Sequence, residues 1–89
     1  MDRCINLERK RGLFDIIASL LEVLESGACS KTTMASRANL ATRGSRKYVN
    51  MILGFNLIVK DEDRNFFKIT EKGRRFLEEY RRLKMFIEE

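Results

Sequence analysis

The chain contains no histidine and no glutamine, and only two cysteines. Without histidine it lacks the commonest general base and the commonest metal ligand. Cys4 and Cys29 lie too far apart for a short metal motif, and zinc needs more ligands than two thiols supply. There is no glycine-rich phosphate loop, and no serine, threonine or cysteine has an evident activating neighbour in sequence. The expectation is a protein that is not an enzyme and that carries no metal and no cofactor. No apolar run reaches the roughly 18 residues of a membrane span. The first residues lead into Leu7-Glu8-Arg9-Lys10-Arg11, which lacks the apolar stretch of a secretory signal. No membrane partner is expected, and the expected location is the cytoplasm. Repeats, low-complexity tracts and proline-rich linkers are also missing. Two unpaired thiols are expected. A disulfide is the alternative in a hyperthermophilic host, toward which the missing glutamine and the 35% of charged residues point.

The chain has 89 residues, of which 44% are hydrophobic. That suffices for one domain with a single core and small stability reserves. Eighteen Lys and Arg stand against 13 acids, a net charge of +5 with a pI near 9.6. Such a balance in a short chain suggests a polyanionic partner.

Four helices and a hairpin are predicted. Leu13, Ile16, Ile17, Leu20, Leu21 and Leu24 recur at helical spacing, so a first helix is expected over 13–26, with Gly27 as a left-handed stop. A short second helix should begin at Ser30 or Lys31 and end at Arg37 or Ala38. Ala38-Asn39-Leu40 then reads as a tight turn, because asparagine tolerates the left-handed conformation. Thr42 is placed to cap a third helix that ends near Gly54. At about 100° per residue, Ser45, Tyr48, Val49, Ile52 and Phe55 share its core face. Arg43, Arg46, Lys47, Asn50 and Gly54 share the opposite face. Leu57-Ile58-Val59-Lys60 and Phe66-Phe67-Lys68-Ile69-Thr70 flank the polar run 61–65, which is a hairpin signature. Thr70 is placed to cap a last helix from Glu71 to about Glu89.

Three helices, a hairpin and a closing helix form the winged-helix order. The fold class expected is mainly α with a small β-hairpin, a winged helix-turn-helix with a C-terminal dimerisation helix. Such units place the third helix in the major groove of DNA. Between Glu25 and Asp61 the sequence has no acid, but it has Lys31, Arg37, Arg43, Arg46, Lys47 and Lys60. Arginine suits guanine O6 and N7, asparagine suits adenine N6 and N7, and lysine suits phosphate. The candidate DNA-binding residues are Lys31, Arg37, Arg43, Arg46, Lys47, Asn50 and Arg64, and the expected partner is double-stranded DNA. The leading function is a transcription regulator. The alternatives are an architectural, chromatin-like binder with little sequence preference and a winged-helix protein-interaction module. The sequence names no small-molecule effector.

The pairs Asn39-Leu40, Lys47-Tyr48 and Leu57-Ile58, with Phe67-Lys68-Ile69-Thr70-Glu71-Lys72-Gly73, resemble the archaeal winged helix-turn-helix group. That group includes the ArnR-like regulators and the small ten-kilodalton archaeal DNA-binding proteins. The resemblance runs from about Leu13 to Leu83 and implies a DNA-binding dimer joined through its C-terminal helices. Two positions depart from the group's pattern: Ala41 stands where serine is usual and Asn56 where glycine is frequent. Asparagine is the next-best residue for positive φ. At the wing tip Asp61, Glu62 and Asp63 would repel phosphate and leave Arg64 to face DNA.

Residues 1–12 are expected to be a basic leader, 13–75 the winged domain, and 76–89 a dimerisation segment. Phe76, Tyr80, Leu83 and Ile87 form an a/d seam. Leu83, Phe86 and Ile87 lie beyond the reach of so small a core and suggest a partner helix. The candidate dimerisation residues are Tyr80, Leu83, Phe86 and Ile87 in a homodimer.

Overall fold

A computed structural model describes the backbone of residues 12–40 and 42–88, with the side chains of Thr42, Arg43 and Glu88 outside the description. Cys4 and the rest of the leader up to residue 11 also lie outside it. The described elements are α1 (Leu13–Ser26), α2 (Lys31–Arg37), α3 (Thr42–Gly54), β1 (Ile58–Asp61), β2 (Phe66–Ile69) and α4 (Glu71–Glu88).

Helix α1 is the centre of the core. Ile16, Ile17, Ala18, Leu20, Leu21 and Leu24 are buried along one face. Leu13 departs from the expectation: at the first position of α1 it is exposed, while Ile16 and Ile17 behind it are buried. Gly27 also departs from it. Its φ of 155° and ψ of 155° are not left-handed helical, and its N–H donates to the Leu24 carbonyl at 3.1 Å.

Helix α2 starts at Ser30, whose hydroxyl accepts the Thr33 N–H at 3.3 Å. It ends in a Schellman closure: Asn39 sits at φ 61°, its N–H donates to the Ser36 carbonyl, and the Leu40 N–H reaches back to Ala35 at 2.9 Å. The same closure ends α3. Asn56 has φ 64°, bonds Leu53, and lets Leu57 N–H reach the Ile52 carbonyl at 2.9 Å. Asparagine serves at both places because its side chain costs least in this conformation after glycine.

The hairpin pairs Ile58 with Ile69, Val59 with Lys68, Lys60 with Phe67 and Asp61 with Phe66. Strand β1 thus runs one residue further than the apolar pattern implies, and Leu57 and Thr70 stand outside the ladder. Asn65, at φ 60°, closes the turn by donating to the Asp61 carbonyl at 2.8 Å. An isolated hairpin is marginal in water. Here Cys29 pairs with the outer edge of β2, exchanging both backbone bonds with Phe67 at 3.3 and 2.8 Å. This one-residue third strand ties the hairpin to the segment between α1 and α2.

Leu77 on α4 is fully buried, while Phe76 and Tyr80 are half-buried against the core. Arg81 clamps α4 to α1 through Glu25 at 2.8 Å and Glu22 at 3.5 Å, and the Tyr80 hydroxyl donates to the Asp15 carboxylate. The arrangement is mostly helical with an antiparallel hairpin between α3 and α4, as the element order implies.

Candidate nucleic-acid interface

Helix α3 is built on Ser45, Val49 and Ile52, which are buried, with Tyr48 half-buried beside them. Phe55 is not part of that face. It follows the last helical turn and is 53% exposed, because the Asn56 closure turns the chain away before it can reach the core. With the inner face anchored, Arg46, Lys47 and Asn50 are exposed together on the outer one. The Arg43 side chain, assigned to the same face by spacing, lies outside the described residues.

The remaining candidates sit on other elements. Lys31 opens α2 and is half-exposed, whereas Arg37 is exposed in its last turn, next to the Asn39 closure that leads into α3. Six residues along α2 separate the two by about 9 Å. Arg64 is exposed in the wing turn with Glu62 and Asp63 exposed beside it. Among the described residues no carboxylate pairs with Lys31, Arg37, Arg46, Lys47, Lys60 or Arg64. Lys47 Nζ lies 5.4 Å from the centre of the Tyr48 ring, a cation–π contact that steadies the side chain without neutralising it. Uncompensated charge of one sign is what projects a potential into solvent.

Cys29 is buried, and burial pushes its thiol pKa up, with the Arg37 cation opposing. It therefore stays a neutral thiol at neutral pH. Among the described residues no group of His, Cys, Asp or Glu is placed to hold a metal ion, and no described helix is long and apolar enough to cross a membrane.

At the joint between α3 and α4, sequence reasoning gave Thr70 the cap of the last helix and gave Lys72 and Gly73 no role. Thr70 Oγ donates to the Asn56 carbonyl at 2.7 Å and accepts the Gly73 N–H at 3.0 Å, so Thr70 caps α4 and holds the end of α3 at once. Lys72 Nζ donates to the Phe55 carbonyl at 2.9 Å. A Cβ on Gly73 would stand 2.3 Å from the Leu57 carbonyl oxygen. Thr70, Lys72 and Gly73 thus lock the angle between the third and fourth helices. A helix-turn-helix whose second helix offers an acid-free face, closed by a hairpin and a long helix, decides the family. The chain belongs to the winged helix-turn-helix family. The family model matches residues 10–88. An uncharacterized protein of the archaeon Methanocaldococcus jannaschii is 30% identical over 70 residues, which span 79% of this chain and 70% of that relative. The winged helix-turn-helix is typically a DNA-binding fold, and α3 is the second helix of the helix-turn-helix here.

Helix α4 carries the second candidate surface. Leu83, Phe86 and Ile87 are 56%, 73% and 70% exposed, and Met85, which the seam did not include, is exposed as well. Tyr80 lies at the inner end of the seam, engaged with its own chain: it bonds Asp15 and stacks on Phe76. Phe14 of α1 joins this surface, its ring set edge-on to Phe76 at 6.0 Å. Phe14, Phe76, Glu79, Tyr80 and Leu83 line an apolar hollow of about 170 Å³. Phe14 escaped the sequence reading because its partner is more than sixty positions away.

Proposed function

We propose that the protein is a homodimeric transcription regulator that reads duplex DNA with α3, in the manner of the archaeal ArnR-like regulators it resembles. The observation that carries this reading is the outer face of α3, with Arg46, Lys47 and Asn50 exposed and no described carboxylate compensating the cations. Arg46 and Asn50 are assigned to base edges, with Arg43 beside them. Lys47, Lys31 and Arg37 are assigned to phosphate. The wing stands off the duplex at its acidic tip and offers Arg64 alone. Dimerisation is assigned to the second half of α4, where Leu83, Phe86 and Ile87 each forfeit about 1.5–3 kcal/mol while they face water. Tyr80 lends only its outer edge. A two-fold axis there presents two copies of α3 to half-sites about one DNA turn apart.

Selection of bound duplexes from a random pool, followed by sequencing, tests the proposal. A sharp palindrome is expected. Binding without enrichment would replace the regulator with an architectural binder. Affinity that is undetectable in about 50 mM salt, or flat as salt rises toward about 200 mM, would remove DNA altogether, since phosphate contacts release counterions.

A further inference from the structure

Where the end of α3 meets α4, Leu57, Lys72, Arg75, Phe76 and Glu79 line a hollow of about 460 Å³. Small-molecule sites span about 300–1,000 Å³, with an apolar lining and a few polar groups. Leu57 is buried and Phe76 half-buried, so they form the floor, while Lys72, Arg75 and Glu79 are exposed at the rim. The backbone of Leu57 is already engaged: its N–H donates to the Ile52 carbonyl at 2.9 Å, and its carbonyl accepts the Thr70 N–H at 3.0 Å. Polar recognition is therefore left to the rim. Among the described residues no carboxylate pairs with Lys72 or Arg75, whereas Glu79 lies 3.3 Å from Arg82. Two cations and one carboxylate leave the rim one net positive charge.

We infer that this hollow binds a small apolar molecule bearing one carboxylate, and that the occupant acts on α3 through Lys72. The Leu57 and Phe76 side chains take the apolar body. Arg75 takes the carboxylate, for which its planar fork of donors is suited. The single net charge of the rim matches one carboxylate, and the apolar floor gives a sugar or a nucleobase nothing to bond. Lys72 is the link to α3. Its ammonium donates to the Phe55 carbonyl at 2.9 Å, just past the last turn of that helix. A carboxylate in the hollow competes for the same ammonium and loosens the hold of α4 on the end of α3. The effect on DNA rests on the reading that α3 contacts the duplex; the site itself does not.

Phenylacetate is the probe, and phenylacetamide, with the same body and no charge, is the control. Titrated into the wild-type protein without DNA, phenylacetate should shift the magnetic resonance signals of Leu57 and Phe76 and saturate by about 10 mM, where even a millimolar site fills. Phenylacetamide should bind roughly tenfold more weakly, and so should phenylacetate to Arg75→Met, since each loses a charge-assisted hydrogen bond. A second titration measures duplex affinity in about 50 mM salt, with sodium chloride added in equal amount as the blank. Saturating phenylacetate should lower that affinity roughly fivefold, and Lys72→Met should show no such response. Absent shifts at Leu57 and Phe76, equal binding of phenylacetamide, or undiminished binding to Arg75→Met would overturn the site. Binding that leaves duplex affinity unchanged would overturn the link through Lys72. If wild type binds no duplex even without phenylacetate, the reading of α3 fails, and the first titration alone decides the site.

Discussion

Helices α3 and α4 are both amphipathic and both rich in arginine and lysine, yet their charges keep different company. Lys72, Arg74, Arg75, Arg81, Arg82 and Lys84 share α4 with Glu71, Glu78, Glu79 and Glu88. Arg81 bridges to Glu25 and Glu22, Arg82 lies 3.3 Å from Glu79, and Lys72 is spent on the Phe55 carbonyl. Helix α3 has fewer cations, Arg43, Arg46 and Lys47, but no acid. A count of positive charge would choose α4 as the polyanion surface, and the lack of any acid in the helix chooses α3. Exposed pairs such as those on α4 contribute only about 0.2–1 kcal/mol each. They orient a helix; they do not project a field. What α4 projects instead is apolar surface.

The sharpest way to break this division is at the joint between the two helices. Gly73→Ala forces a Cβ against the Leu57 carbonyl and should destabilise the domain by about 3 kcal/mol, lowering the melting temperature by roughly 15 °C. Thermal unfolding followed by circular dichroism checks it; an unchanged transition would show that α4 need not approach Leu57 so closely. Next comes Leu83→Glu, which places a charge in the α4 seam. A folded monomer is expected, with DNA binding weakened roughly 100-fold through lost bivalency. Sedimentation equilibrium decides between the outcomes, and a wild-type protein that is already monomeric at about 100 μM would end the dimer proposal.

On α3, Arg46→Ala and Asn50→Ala should each reduce preference for a selected sequence by about 1–3 kcal/mol, whereas Lys47→Ala should weaken all duplexes alike. Competition with random duplex separates the two patterns, and preserved preference in all three variants would take α3 out of recognition. Lys72→Met should cost about 1 kcal/mol of stability, the worth of one hydrogen bond. The smallest effect expected is that of Arg81→Gln. The Arg81 hydrogen bond holds the Glu25 carboxyl below its usual range, with desolvation opposing it. Stability from the pair is therefore present above the usual glutamate range and lost as pH falls through it to the folded value. Both side chains are exposed, so the contribution should not exceed a few tenths of a kcal/mol. Wild type should lose that much more than Arg81→Gln in urea titrations between about pH 5 and pH 3. Identical pH slopes would leave the Arg81 clamp without weight.

Helix positions were the most legible part of the fold. The apolar spacing in α1, the Asn39 and Asn56 turns and the Thr70 cap are local devices, each working within a few residues of itself, and each stands where the residues place it. The errors share one cause. Leu13 and Phe55 have the right residue type and spacing for a core face, but both sit at helix ends and are exposed, and spacing carries no information about where cover ends. Cys29 as a one-residue strand was invisible because its partner, Phe67, lies on a hairpin met much later in the chain. The outer face of α3 could be read almost whole, since one helix suffices to bring Arg46, Lys47 and Asn50 together.

The sequence by itself determined the element order, the acid-free stretch from Ser26 to Lys60, and the helical face on which the cations of α3 fall, because these depend on spacing and residue chemistry alone. Tertiary structure decided which cations stay uncompensated, since that depends on carboxylates from other elements, as Glu25 on α1 shows for Arg81 on α4. It also assigned Thr70, Lys72 and Gly73 to the α3–α4 joint, through contacts that span 14 to 17 residues. A short motif states its own geometry, but the carbonyls it meets belong to the end of another helix, and only packing brings the two together.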